Sequence, residues 1–142
     1  MPRSKAWIVT AVTLTLSACG KTAPPVASVA DLPAPYNTAD LENGRLKFAE
    51  CKSCHTIKAG GPNGKGPNLH GVFGRKAGTL KGFKYSDAVK KAGFDWDYEH
   101  LDGWLAKPKA YLPGTKMSFK GVPDPKDRID VIGYLAVESA RP

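Results

Sequence analysis

Cys51-Lys52-Ser53-Cys54-His55 is the stretch on which the reading of this chain turns. Two thiols three residues apart fall on one helical turn, where they can add across the two vinyl groups of haem. The adjoining histidine then projects its imidazole onto the iron from one side. A thioredoxin-like use of the same cysteines needs a strand before them and a βαβ pattern after them, and neither is present. A zinc site needs a second ligand pair, and only His70 and His100 remain. In an oxidising compartment a bare C-x-x-C would close into a disulfide or serve redox exchange. The expected cofactor is therefore one covalently attached haem c with its iron.

Working outward, the second axial ligand should be His or Met. Apart from the initiator the chain has a single methionine, Met117, 62 residues after His55 in Tyr111-Leu112-Pro113-Gly114-Thr115-Lys116-Met117-Ser118-Phe119. Core methionines are usually gap fillers on helices. One isolated in a Pro-Gly loop reads as a ligand. His70 and His100 read instead as a polar loop residue and an exposed helix residue.

Around these residues the pattern predicts an all-α domain over residues 41–142. Asp40 can cap a helix in which Leu41, Gly44, Phe48 and Cys51 recur at helical spacing. Thr56 to Gly82 holds eight glycines and two prolines, a loop long enough that it has to wrap something. Short helices are expected near Ser86–Ala92 and Tyr98–Ala106, the second stopped by Pro108. A loop follows from Lys107 to Pro123. Asp124-Pro125 opens a last helix through Ile129, Ile132, Leu135 and Ala136. So much loop leaves a thin core, which a large apolar cofactor would complete.

The N-terminus reads as an address. Arg3 and Lys5 precede an eleven-residue apolar run, Ala6 to Leu16, too short to span a bilayer and patterned as a secretory signal. It ends in Leu16-Ser17-Ala18-Cys19, which resembles the bacterial lipobox. That resemblance implies cleavage after residue 18 and acylation of Cys19, with several acyl chains as a stable anchor. Residues 20–40 are rich in Ala and Pro and read as a tether of at most roughly 65 Å at about 3.1 Å per residue. An arm packed on the domain is the alternative for Leu32 to Tyr36. The formal charge of +8 falls to +6 once Arg3 and Lys5 are removed, and that excess asks for an acidic partner or surface. Length and composition disfavour a polytopic membrane protein, a two-domain enzyme and a disulfide mini-protein. Nucleic acid is disfavoured as a partner because export removes it.

Residues 41–142 as a whole resemble the class I cytochrome c family. The resemblance implies a few short helices and long loops wrapped around one haem, with the first and last helices crossed near Gly44, Phe48, Ile132, Tyr134 and Leu135. In Gly66-Pro67-Asn68-Leu69-His70-Gly71 it assigns the Pro67 carbonyl to the ligand histidine. Arg75, Tyr85, Ser86 and Trp96 fall where the family places donors around the inner haem propionate. Phe119 matches an aromatic beside the exposed haem edge, and Thr115 is grouped with the cofactor contacts. Trp104 stands where mitochondrial members have a tyrosine near the methionine sulfur, and Val89 where they have an asparagine. Gly133 replaces a better helix former.

An iron held by both His55 and Met117 has no open position for a substrate, so the expected role is a monomeric one-electron carrier rather than an enzyme. Lys52, Lys58, Lys65, Lys109, Lys116 and Lys120 flank the expected haem edge and are candidates for docking acidic surfaces of redox complexes. By resemblance, the donor is a quinol–cytochrome c oxidoreductase and the acceptor a haem–copper oxidase or photosynthetic reaction centre. The expected location is the periplasmic side of a bacterial membrane, the inner one favoured. A haem peroxidase or gas-binding protein, and an electron-entry subunit fixed to a dehydrogenase or oxidase, are the competing readings.

Overall fold

The computed structural model of the chain describes residues 28–142. The expected signal segment, Cys19 and the first part of the tether lie outside the described residues. Among the described residues five α-helices follow one another. In α1 (Leu41–Lys52) the Asp40 carboxylate accepts from the Glu42 and Asn43 amides at 2.9 and 3.0 Å. Such a cap satisfies donors that a helix start leaves open. Ser86 caps α2 (Asp87–Lys90) by accepting from the Val89 amide at 3.4 Å. Asp97 caps α3 (Tyr98–Ala106) by accepting from the His100 amide at 2.8 Å.

One short helix was not expected. The stretch from Lys107 to Pro123, read above as loop, contains α4 (Pro108–Tyr111). The same proline that ends α3 has the φ needed at a first helical position, so it stops one helix and starts another. In α5 (Pro125–Ser139) Pro125 again leads, and Asp124 accepts from the Asp127 amide at 3.0 Å. Among the described residues the only β pairing is an isolated Lys76–Asp95 bridge, so the fold is all-α. None of the described helices is long and apolar enough to cross a membrane.

The core forms where α1 crosses α5, the helix pair in broadest contact. Phe48 and Ile132 are buried there, and Phe48 packs on the Tyr134 ring. Gly44 makes the approach possible. A Cβ there would stand 2.2 Å from the Asp130 carbonyl oxygen and 2.7 Å from the Tyr134 Cβ. Asp130 itself is buried but fully engaged, accepting from the Asp40 amide at 2.8 Å, from Asn43 Nδ2 at 2.8 Å and from Lys126 Nζ.

Part of the segment expected to be a tether is folded on the domain. From Ser28 onward the segment read as free to residue 40 is folded, with 3₁₀ turns at Val29–Asp31 and Tyr36–Thr38. Leu32, Tyr36 and Ala39 are buried, and both turns pack on α5. The Tyr36 hydroxyl donates to the Tyr98 carbonyl at 3.2 Å, and its ring packs on that of Tyr98. The correction has a physical reason. Two large apolar side chains among the prolines find a seat on the domain, and burying them outweighs the entropy of a loose coil.

Candidate haem site

The attachment motif is wound on one turn at the end of α1. The Cys54 and His55 amides both donate to the Cys51 carbonyl, at 3.1 and 2.9 Å. Both cysteines are free thiols, half-buried. Burial pushes the Cys51 thiol up to about 11, with Glu50 and Cys54 acting in the same direction. Burial also moves His55 below the ordinary imidazole range, partly offset by the Pro67 carbonyl. That carbonyl lies 2.7 Å from His55 Nδ1. A carbonyl can only accept, so Nδ1 carries the proton and Nε2 keeps its lone pair for a metal.

Gly66 and Asn68 hold this arrangement, and the sequence reading did not single them out. A Cβ at Gly66 would stand 2.2 Å from the imidazole Cε1, so only glycine lets the loop lie flat against the ring. Asn68 is buried and ties the loop together. Its amide nitrogen donates to Thr56 Oγ1 and to the Lys58 carbonyl, and its side-chain oxygen accepts from the His70 amide. Arg75 completes the brace with donations to the carbonyls of His70 and Asn68, each at 3.1 Å. The signal for both residues was their place within Gly66–Gly71 beside Pro67. A run of loop-forming residues does not say which of them becomes a hub.

These elements enclose a cavity of about 490 Å³, within the roughly 300–1,000 Å³ of cofactor sites. Cys51, Cys54, His55, Pro67, Arg75, Tyr85, Ser86, Trp96, Trp104, Thr115, Met117 and Phe119 all line it. The rest of the wall is mainly apolar, with Val72, Val89, Leu101 and Leu105 from the loops, α2 and α3, and Val131 and Leu135 from α5. Met117 is seated by its own turn, its amide donating to Thr115 Oγ1 at 3.2 Å. Trp104 meets Trp96 edge to face, with ring centres 5.3 Å apart. The Ser86 hydroxyl is engaged as the cap of α2. Burial lowers Arg75 and raises Tyr85, each partly offset by the other.

The residues fit haem. Two thiols, an imidazole with a free Nε2 and a thioether share one mainly apolar wall, and Arg75, Tyr85, Ser86 and Trp96 on the same wall could donate to buried carboxylates. An open hollow of about 610 Å³ beside it is lined by Lys84, Lys90 and Lys116 and offers no comparable donor set. Of the candidate docking residues, all six are exposed. Lys65 and Lys116 stand on the cavity rim, while Lys52, Lys58, Lys109 and Lys120 lie off it. Lys84, which sequence reasoning missed, joins the rim.

The family model "Cytochrome c" matches residues 41–137. Cytochrome c of Kluyveromyces lactis is 46% identical over 105 residues, covering 73% of this chain and 96% of that protein. Cytochrome c of Arabidopsis thaliana is 51% identical over 101 residues, covering 70% and 90%. Cytochrome c2 of Rhodomicrobium vannielii is 46% identical over 103 residues, covering 72% and 82%. Among solved structures, cytochrome cH from Methylobacterium extorquens superposes with a TM-score of 0.64 at 49% identity, covering 68% of this chain and 97% of that one. With the attachment motif, the cavity and the crossed helices already in place, these likenesses leave one conclusion: the chain belongs to the cytochrome c family, electron-transfer proteins rather than enzymes, which carry covalently attached haem c.

Proposed function

We propose that this chain is a lipid-anchored one-electron carrier on the periplasmic side of a bacterial membrane, with its iron held between His55 and Met117. One observation supports the ligand pair above all. His55 and Met117 line the same enclosed apolar cavity as both attachment cysteines. Covalent haem c, when bound, supplies a reversible one-electron change at iron. Pro67 fixes the imidazole through Nδ1 and so sets the tautomer that binds metal. Arg75, Tyr85, Ser86 and Trp96 would meet the buried carboxylate. Arg75 has spare N–H donors after its two bonds to the loop. The apolar wall disfavours the extra positive charge of the oxidised state, which raises the potential, as methionine ligation also does.

The exposed lysines, with Lys65, Lys84 and Lys116 on the cavity rim, suit a transient encounter with an acidic surface. The family resemblance supports a quinol–cytochrome c oxidoreductase as donor, and a haem–copper oxidase or photosynthetic reaction centre as acceptor. The lipobox-like Leu16–Cys19 supports the anchor. Oxidised and reduced optical spectra of the purified protein test the ligands. A sulfur-to-iron band in the oxidised form, absent in Met117→Leu, is the expected result. Rapid carbon monoxide binding by the reduced native protein would move the assignment to a gas-binding protein or peroxidase. Cys19→Ser should release soluble protein that still carries haem, and its retention on the membrane would end the lipid-anchor reading.

A further inference from the structure

Gly133 looks misplaced in the middle of α5, and the folded arm explains it. A Cβ at Gly133 would stand 2.4 Å from the Ala39 Cβ, with Leu32 Cδ1 and the Tyr36 carbonyl next nearest. Val131 and Leu135 line the haem cavity. At about 100° per residue, position 133 lies on the opposite side of the helix from both. The arm is therefore seated on the face of α5 turned away from the cavity. Its seat carries charges of both signs, with Asp102 paired to Arg128 at 2.8 Å. The cavity rim, by contrast, carries Lys65, Lys84 and Lys116.

We infer that the arm, seated on Gly133, is a clasp that shortens the tether and keeps the basic haem rim from lying down on the anionic membrane that anchors the protein. This rests on the lipid-anchor reading. With the arm seated, only residues 20–27 separate Cys19 from it, a stretch that reaches at most about 25 Å at about 3.1 Å per residue. Were the arm loose, residues 20–40 would reach about 65 Å. A domain of this size is about 34 Å across. A chain leaving from the face behind the cavity has to pass around that width before the rim can touch the membrane. The clasped tether is too short for this and the loose one is long enough. Attraction between the lysine rim and anionic lipid would otherwise hold the electron entry point against the bilayer and hide it from its partners.

The test uses the lipidated full chain on vesicles whose lipid headgroups carry a fluorophore, with energy transfer to haem as the readout. Vesicles are made of phosphatidylcholine alone or with phosphatidylglycerol. Native protein should quench both kinds alike. Leu32→Asp, which unseats the arm, should quench the anionic vesicles at least about twofold more, and lose the difference at about 1 M salt, where screening acts within about 3 Å. A Gly/Ser insertion of about eight residues after Val26 lengthens the tether without touching the clasp and should behave like Leu32→Asp. Binding to phosphatidylcholine vesicles reports the anchor by itself. If the native chain does not bind them, the anchor reading falls and the clasp with it. If it binds but the native, Leu32→Asp and inserted proteins quench alike, the clasp alone is overturned.

Discussion

The crossing of α1 with α5 and the loop wall around the cavity are built on opposite terms. At the crossing, side chains complete the packing themselves, with Gly44 against the Asp130 carbonyl, Phe48 on Tyr134, and a buried carboxylate with every partner in place. Around the cavity, hydrogen bonds within Thr56–Arg75 hold the loops, yet the apolar wall faces some 490 Å³ that no side chain fills. The two regions are not independent, because Phe48, Val131 and Leu135 also stand on the cavity wall. The helix pair thus supplies specificity from its own residues, and the loops borrow their core from the cofactor.

The largest expected effect follows from this division. Without haem the apolar wall of the cavity, which includes Phe48, Val131 and Leu135 of the crossing, has nothing apolar to pack against and is left to water, a large loss against the roughly 5–15 kcal/mol that stabilise an ordinary domain. The double variant Cys51→Ala/Cys54→Ala, purified free of haem, should therefore lose most of its far-ultraviolet helix signal. If α1 and α5 kept full amide protection without haem, the crossing would be self-sufficient and the division drawn here would be wrong.

Next in size is Asp130→Ala. It removes the acceptor of three donors, the Asp40 amide, Lys126 Nζ and Asn43 Nδ2, the last of which keeps its bond to Asp127, at about 1 kcal/mol each. Burial alone would raise the Asp130 carboxyl, but its bonds to Lys126, Asn43 and the Asp40 amide outweigh that and hold it below the usual carboxylate range. The folded value thus lies below the unfolded one of about 3.9. The stabilisation is complete above that value and is lost as pH falls through the folded value. Denaturant midpoints at pH 5 and pH 3 should differ less in Asp130→Asn than in the native protein. An unchanged difference would mean that other carboxylates carry the acid sensitivity.

Much of this was legible in the sequence, and unevenly so. Caps announce themselves through single residues, so Asp40, Asp124 and Pro125 located both ends of the crossing. Cys51, Cys54, His55 and Met117 stood out because their chemistry has few other uses in such places. What stayed hidden depended on relations between distant residues. Leu32 to Tyr36 could be read as a tether or as a packed arm, and the choice depends on a seat that is an absent side chain at position 133, a hundred residues on. Likewise Pro108 reads as a stop, and its second role as the start of α4 depends on where the chain turns next.

Gly44→Ala, next in order, sharpens the comparison from the helix side. Alanine is the better helix former, but its methyl would meet the Asp130 carbonyl and the Tyr134 Cβ, neither of which can rotate aside. The net cost should be about 2 kcal/mol, read as a lower thermal midpoint with an unchanged haem spectrum. If the variant were as stable as the native protein, the two helices could separate freely and the crossing would not be as closely specified as its contacts suggest.

The smallest effect lies on the cavity side. Val89 is buried on the wall formed by α2 and can neither donate nor accept a hydrogen bond. Val89→Asn puts an amide of similar size beside Tyr85, Ser86 and Trp104, which line the same cavity. Burying the amide costs stability and its new hydrogen bonds return part of it, leaving a net change of about 1 kcal/mol. The electrostatic consequence is easier to read. A polar group near the iron favours the more highly charged oxidised state, so the reduction potential should fall while the sulfur-to-iron band persists. A potential that stayed put would show that solvent reaching the rim, and not the inner wall, governs the polarity felt at the metal.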